Sequence, residues 1–229
     1  MIPARKGGLA ESMVSGYVSF KFRRFFRGLW MRGRLPTDAA STLVYANHTN
    51  FWDGFVVHQL GRLAGWDAYC LMEEQNLARY RFLRRIGAFS IRRGDGTSAL
   101  ETLRYTKSLL QRPRAGVFVF PEGKIGPFVP RALALEGGVA VLARTSRARC
   151  VPIAIRYTFF EHERPDVLVE VGEAHGAAPL AEFQARLQGT VASLAAATSL
   201  EGFERKIVGA QSVAERWDAM RRPFSGGAA

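Results

Sequence analysis

A chain of 229 residues, 48% of them hydrophobic, is the size of one large domain and has the apolar content to bury a sizeable core. Its 32 Lys and Arg against 20 Asp and Glu give a formal net charge of +12, which implies an anionic partner, either a lipid surface or a nucleic acid. Two cysteines exclude a disulfide framework, no run approaches the roughly eighteen apolar residues of a spanning helix, and the start lacks the pattern of a secretory signal, so a reducing, cytosolic setting is expected.

Residues 1–12 carry Gly and Pro without periodicity and read as a frayed lead-in. From Met13 to Met31 apolar residues fall at 14, 17, 18, 22, 25, 26, 29 and 30, the spacing of a helix, with Lys21, Arg23, Arg24 and Arg27 mostly between them. Phe20 interrupts the stripe. Two readings stay open for this element. One is an amphipathic helix lying in the headgroup region of an anionic membrane, a peripheral or monotopic attachment on the cytoplasmic side. The other is an N-terminal helix docked on the core by its aromatic face. Arg32, Arg34 and Pro36 end it, and a loop leads to Thr42.

Leu43 to Ala46 is a short apolar run that reads as a buried strand. Asn47 to Asn50 are turn residues, and Asp53-Gly54 opens a helical pattern of Phe55, Val56, Val57 and Leu60. His48 therefore stands in the loop off a strand end, where α/β sheets carry working side chains. If the loop folds back, Asp53 accepts a hydrogen bond from one imidazole nitrogen and leaves the other free as a base. A capped turn is the bland alternative. A metal site is not expected, because the nearest other imidazole, His58, lies on the following helix and Cys70 and Cys150 have no ligand spacing.

Gly61 and Gly65 close that helix, Asp67 to Met72 reads as a second strand, and Glu73 to Asn76 begins a short helix ending near Arg84-Arg85. Ile86 to Ile91 reads as a strand ending in Arg92-Arg93-Gly94, which suits guanidinium contact with a phosphate as well as plain solvation. A Ser98-to-Glu101 capping box opens a helix to about Gln111 whose buried face is Leu100, Leu103, Leu109 and Leu110. Ala115 to Phe120 is apolar throughout, as in a central parallel strand, and Pro121-Glu122-Gly123-Lys124 follows it directly. Ala132 to Arg144 reads as a helix whose Gly137-Gly138 pair calls for close packing. Arg149 to Ile155 is a strand that Pro152 marks as an edge or bulge. Asp166 to Gly172 reads as the final strand, Pro179 starts a helix, and a polar helix runs from Leu200, with residues 221–229 as a loose tail. His162 and His175 lie in loops without partners at telling spacings and read as surface residues.

Asn47-His48-Thr49-Asn50-Phe51-Trp52-Asp53 resembles the H-x-x-x-x-D signature of the glycerolipid acyltransferases, the family of the lysophosphatidic acid acyltransferases. Phe120-Pro121-Glu122-Gly123 resembles that family's F-P-E-G signature at the expected place downstream. A looser match over Ile86 to Arg93 and a Val151-Pro152-Ile153 block complete the series, which covers residues 40–175. The resemblance implies acyl transfer from a fatty acyl thioester, with coenzyme A or an acyl-carrier protein as co-substrate, to a hydroxyl of a lysophospholipid such as 1-acylglycerol-3-phosphate. It implies no cofactor and no acyl-enzyme. His48 and Asp53 become the catalytic pair, Arg93 the ligand of the acceptor's phosphate, and Glu122 and Gly123 the residues holding its glycerol or phosphate portion. Asn47, Arg92 and Lys124 join the substrate-binding set. Arg92 stands where relatives often carry aspartate, and Lys124-Ile125-Gly126 replaces a threonine and the arginine after it. The phosphate grip then rests on Arg93 and Lys124, or the acceptor is an amino-lipid, a sugar or a carotenoid glycoside. Val151, Ile153 and Ile155 suit either the acyl side of the site or plain core.

The expected architecture is an α/β fold with a mixed, largely parallel central sheet flanked by helices. A membrane-associating segment occupies residues 1–36 and an acyltransferase domain residues 37–220. Rival readings are a hydrolase, with water in place of the acceptor, and a non-catalytic basic membrane-binding module. No motif that reads nucleic acid is recognisable, and the aromatics fall in a stripe instead of a base-stacking pattern, so nucleic acid is not an expected partner.

Overall fold

In the computed structural model, which describes residues 1–129, 132–211 and 213–221, the unbroken apolar runs become strands covered on both sides. Strands β1 (Gly28–Arg32), β2 (Thr42–Ala46), β3 (Asp67–Glu73), β4 (Ala88–Ile91), β5 (Ala115–Val119), β6 (Arg149–Thr158), β7 (Asp166–Val171) and β8 (Glu204–Val208) form one sheet. Their order is β4-β3-β5-β2-β6-β7-β1-β8. Neighbours are parallel except at β6–β7 and β1–β8. Helices α1 (Gly8–Phe25) and α2 (Asp53–Ala64) lie on one face, while α4 (Gly96–Leu110), α5 (Gly138–Ser146) and α6 (Leu180–Ala195) cover the other. α3 (Glu74–Arg79), a 3-10 helix over Arg81–Ile86 and α7 (Val213–Arg221) complete the set. The expected mixed, largely parallel sheet flanked by helices is the one found.

The period-2 geometry of β2 divides the core. Leu43 and Tyr45 pack toward Leu142, Phe183 and Leu187, and Val44 and Ala46 pack toward Val56, Val57 and Leu60. All five β2 residues are buried, as a central parallel strand requires. α2 ends where Gly65 takes the left-handed conformation at φ 65°, and its backbone N–H caps the Gly61 and Arg62 carbonyls.

Several local expectations are corrected. The N-terminal helix runs from Gly8 to Phe25, not from Met13 to Met31. Gly28–Arg32 is instead a strand, because β7 and β8 flank it and bury Leu29 and Met31. The first residues are not frayed. Ser90 N–H donates to Ile2 O at 3.0 Å and Ile2 N–H to Ser90 Oγ at 2.7 Å, so the lead-in covers the open edge of β4. β7 is not the final strand. Glu204–Val208, charged enough to read as helix, is an edge strand whose polar side chains suit its exposed position.

α4 is capped by Asp95, whose carboxylate accepts from Ser98 N–H at 3.0 Å, and no Ser98–Glu101 box forms. Leu100 is 48% exposed, and the buried face carries Thr102 and Thr106, each donating its hydroxyl to the preceding turn at 2.7 Å. α5 begins at Gly138, so the glycine pair marks its start, and a Cβ at either glycine would meet nothing within 4 Å. β6 is internal, between β2 and β7. Pro152 is tolerated because its ring nitrogen lies just beyond the β7 ladder, where only Pro152 O is used, accepting from Gly172 N–H at 2.9 Å. His175 has partners: its ring bonds Tyr45 Oη at 2.8 Å and donates toward Gly176 O at 2.7 Å. Residues 222–229, most of the expected loose tail, lie outside the described residues.

Candidate active site

β2 and β5 run side by side in the same direction, with Val44 beside Phe118 and Tyr45 beside Val119. The loops leaving their C-terminal ends therefore open on one edge of the sheet. Backbone contacts fasten them together. Gly126 N–H donates to His48 O at 2.9 Å, and His48 N–H to Glu122 Oε1 at 3.4 Å.

Asp53 opens α2 and is 0% exposed. A carboxylate taken out of water must be fully hydrogen-bonded, and here four donors do that. His48 Nδ1 reaches Oδ2 at 2.7 Å, Thr49 N–H and Asn50 N–H reach the same oxygen at 2.8 and 3.0 Å, and the Tyr157 hydroxyl donates to Oδ1 at 2.7 Å. The start of α2 adds its positive dipole end. An ionised Asp53 only accepts, so Nδ1 carries the hydrogen and Nε2 the lone pair. Among the described residues nothing hydrogen-bonds Nε2. The imidazole lies against the Phe120 ring with centroids 4.4 Å apart, which fixes its plane. Burial, then the Asp53 charge and hydrogen bond, push the Tyr157 hydroxyl well above the ordinary tyrosine range, so it stays a donor.

His48 lines a cavity of about 780 Å³ whose walls come from α1, α2, β3, α3, the 3-10 helix and the two signature loops. Its lining is mostly apolar, with Phe51, Trp52, Phe55, Leu71, Tyr80 and Phe82 prominent. Arg93, Gly123 and Lys124 stand on its wall beside His48. Cys70 is also in the wall, but burial, and after it the Asp53 charge, pushes its thiol up to about 12. It is therefore no thiolate nucleophile at neutral pH.

The expected site residues divide into groups. His48, Asp53, Glu122, Gly123, Arg93 and Lys124 gather at one end of the sheet. Gly123 adopts φ 69°, a left-handed backbone that favours glycine, and its open Cα side leaves room for the Arg93 guanidinium. Arg93 donates through Nη1 to Gly123 O and through Nη2 to Glu136 Oε1 at 3.3 Å. Arg92 turns away, onto Glu74 at 2.6 Å and Asp95 at 3.4 Å, and does not line the cavity. Asn47 is 2% exposed, and its amide binds Ile155 from both ends, accepting from N–H at 2.8 Å and donating to O at 2.9 Å. It extends the β2–β6 ladder by one side chain. Val151, Ile153 and Ile155 are fully buried among core residues and do not line the cavity.

Sequence reasoning missed Tyr157 and Phe120 as parts of the site. Tyr157 had a signal: it follows Ile153 and Ile155 at period 2, on the strand face that packs against α2. Phe120 opens the second signature, but nothing in the sequence places its ring against His48. The contributions of Tyr17, Lys21 and Phe25 from α1, and of Phe82, come from tertiary packing alone.

A family model described as Acyltransferase matches residues 32–156, more than half of the chain. The chain belongs to the acyltransferase family, in agreement with the two signatures. Among solved structures it is similar to the 1-acyl-sn-glycerophosphate (LPA) acyltransferase PlsC from Thermotoga maritima, at 16% identity and a TM-score of 0.49, over 80% of this chain and 78% of that one. No curated protein sequence matches it.

Proposed function

We propose that this acyltransferase moves a fatty acyl group from an acyl thioester to a hydroxyl of a lysophospholipid such as 1-acylglycerol-3-phosphate, with His48 as general base. The observation that carries the reading is the half-buried His48, held by the buried Asp53 and opening onto a large apolar cavity, with Arg93 and Lys124 on the same wall. The acyl chain lies in the cavity and places its thioester carbonyl beside His48. The acceptor hydroxyl gives its proton to Nε2 as its oxygen bonds to the carbonyl carbon. Asp53 stabilises the imidazolium that forms. The tetrahedral intermediate then collapses, the carbon–sulfur bond breaks, and the thiolate takes the proton back from His48. A thioester is already activated, so positioning and one base supply much of the acceleration. Arg93 and Lys124 supply the charge for a phosphate head.

α1 supports a membrane-side approach. Leu9, Met13, Tyr17, Phe20 and Phe25 are exposed along it, and Phe51 and Phe82 are exposed beside the cavity. Tyr17 meets Phe82 edge-on at 6.2 Å, and Phe25 packs on Trp52 at 5.0 Å, so this apolar surface continues into the cavity wall. Lys21, Arg23 and Arg24 on the helix and Arg79 and Arg81 beyond it give the surface its basic rim. We infer that α1 and the 3-10 helix rest in the headgroup layer of an anionic membrane on its cytoplasmic face. Among the described residues no helix is long and apolar enough to cross a membrane.

The test is an acceptor screen with one labelled acyl-CoA, scored by product mass, with lysophosphatidic acid set against phosphate-free acceptors. Acylated lysophosphatidic acid is the expected product. Loss of thioester without any acylated product would instead make the protein a hydrolase. Vesicle flotation across a salt series tests the membrane arm, with binding expected to weaken as salt rises.

A further inference from the structure

The far end of the apolar cavity carries one imidazole among apolar side chains. His58, Ala68 and Ile86 line it at the end away from His48, and the same three residues line a second cavity of about 560 Å³. That chamber has the opposite character. Lys6, Glu11, Ser12, Ser15 and Arg62 face it, and Gly16 leaves it open, since a Cβ there would meet nothing within 4 Å. At the junction Ser15 Oγ and His58 Nε2 are hydrogen-bonded at 3.0 Å. Trp66, 7% exposed, forms part of the same wall, and its indole N–H is buried without a hydrogen-bond partner among the described residues.

We propose that this chamber receives the far end of the acyl chain, and that the chain this enzyme prefers carries a hydroxyl at that end. The inference rests on the acyl-transfer reading above and deepens it. A chain with a methyl end long enough to pass His58 would desolvate the serine hydroxyls and the imidazole without returning a hydrogen bond, at a cost in affinity. A terminal hydroxyl both donates and accepts, and matches that set. The charges favour a neutral group over a carboxylate. Lys6 pairs with Asp67 at 2.5 Å and lies 3.6 Å from Glu11, so two carboxylates compensate its charge, and Arg62 is engaged with Ser19 Oγ at 2.8 Å. Burial, then Arg62 and Lys6, hold the His58 pKa down at about 4, so at neutral pH it is an uncharged partner.

The test uses the full-length protein, lysophosphatidic acid as acceptor, and a series of acyl-CoA thioesters of increasing length, each made with a methyl end and with a terminal hydroxyl. Below the length that reaches His58 the hydroxylated donor is expected to be the poorer one, because its hydroxyl ends among apolar side chains without a partner. Above it the hydroxylated donor is expected to have a kcat/KM about five- to tenfold higher, the worth of one added hydrogen bond. His58→Phe and, as a milder change on the opposite wall, Ser15→Ala are each expected to bring that ratio toward one. A methyl-ended donor equal or superior at every length overturns the proposal, as does a ratio unchanged in both variants. Turnover of the short methyl-ended donors reads the acyl-transfer assignment separately, so the two can fail independently.

Discussion

Asp53 and Arg93 belong to the same cavity end, and the fold treats them in opposite ways. The carboxylate is sealed from water and held by four donors drawn from a loop, an imidazole and a strand 104 residues away. The guanidinium has a side chain 41% exposed and leans on one carbonyl and on Glu136, itself 70% exposed. Desolvation makes each contact of Asp53 costly to lose, whereas solvent screens those of Arg93. Under the proposed mechanism, the part of the site assigned to the proton is fixed before substrate arrives, and the part assigned to the head group can adjust to it. Chemistry should be sensitive to small changes around Asp53, and acceptor choice should be tunable around Arg93.

The sharpest way to break this contrast is Asp53→Asn. An amide rotated to present its NH₂ group to Nδ1 selects the wrong tautomer and moves the hydrogen to Nε2, and an amide that still accepts there has lost the charge that stabilises the imidazolium. In either case kcat is expected to fall by about 10³-fold with little change in the KM for acyl-CoA, measured by steady-state kinetics. Arg93→Ala should act differently, raising KM for lysophosphatidic acid about tenfold while leaving a phosphate-free acceptor unaffected. Arg92→Ala is its control. Because Arg92 bonds Glu74 and Asp95 outside the cavity, kinetics with either acceptor should stay within about twofold of the parent.

Tyr157→Phe sharpens the comparison from the fixed side. It removes one of four donors to Asp53 without touching the reacting atoms, so kcat should drop about tenfold with KM unchanged. The smallest effect concerns acid stability near the α1–α2 contact. His58 has a folded pKa of about 4 against an ordinary 6.5, so below 6.5 the unfolded chain takes up a proton that the folded one refuses. Its contribution is intact above pH 6.5 and is lost progressively as pH falls from 6.5 toward 4. His58→Gln should flatten that part of the acid limb in urea unfolding measured against pH.

The two signature loops were legible because their elements announce themselves locally. Leu43 to Ala46 and Ala115 to Val119 have no alternation to confuse, and the turn residues after each place His48 and Glu122 at strand ends. The parallel pairing that unites them followed from the alternation of helices and strands. What stayed hidden depended on distant partners. Gly28–Arg32 carries a helical stripe and becomes a strand only because β7 and β8 stand on either side. Glu204–Val208 is too charged to read as a strand away from an edge. The division between Arg92 and Arg93 was closed to sequence reading as well, since it is decided by Glu74, eighteen positions upstream of Arg92, and by the carbonyl of Gly123.

The central claim is that Nε2 of His48 takes the acceptor's proton while the rest of the site binds substrate. Product formation from labelled acyl-CoA and lysophosphatidic acid, followed by mass in His48→Ala, tests it most directly when acyl-CoA binding is measured on the same sample. The account predicts binding within about twofold of the parent and turnover lower by about 10³-fold. A variant that binds acyl-CoA and still forms product at a rate near the parent's would contradict it.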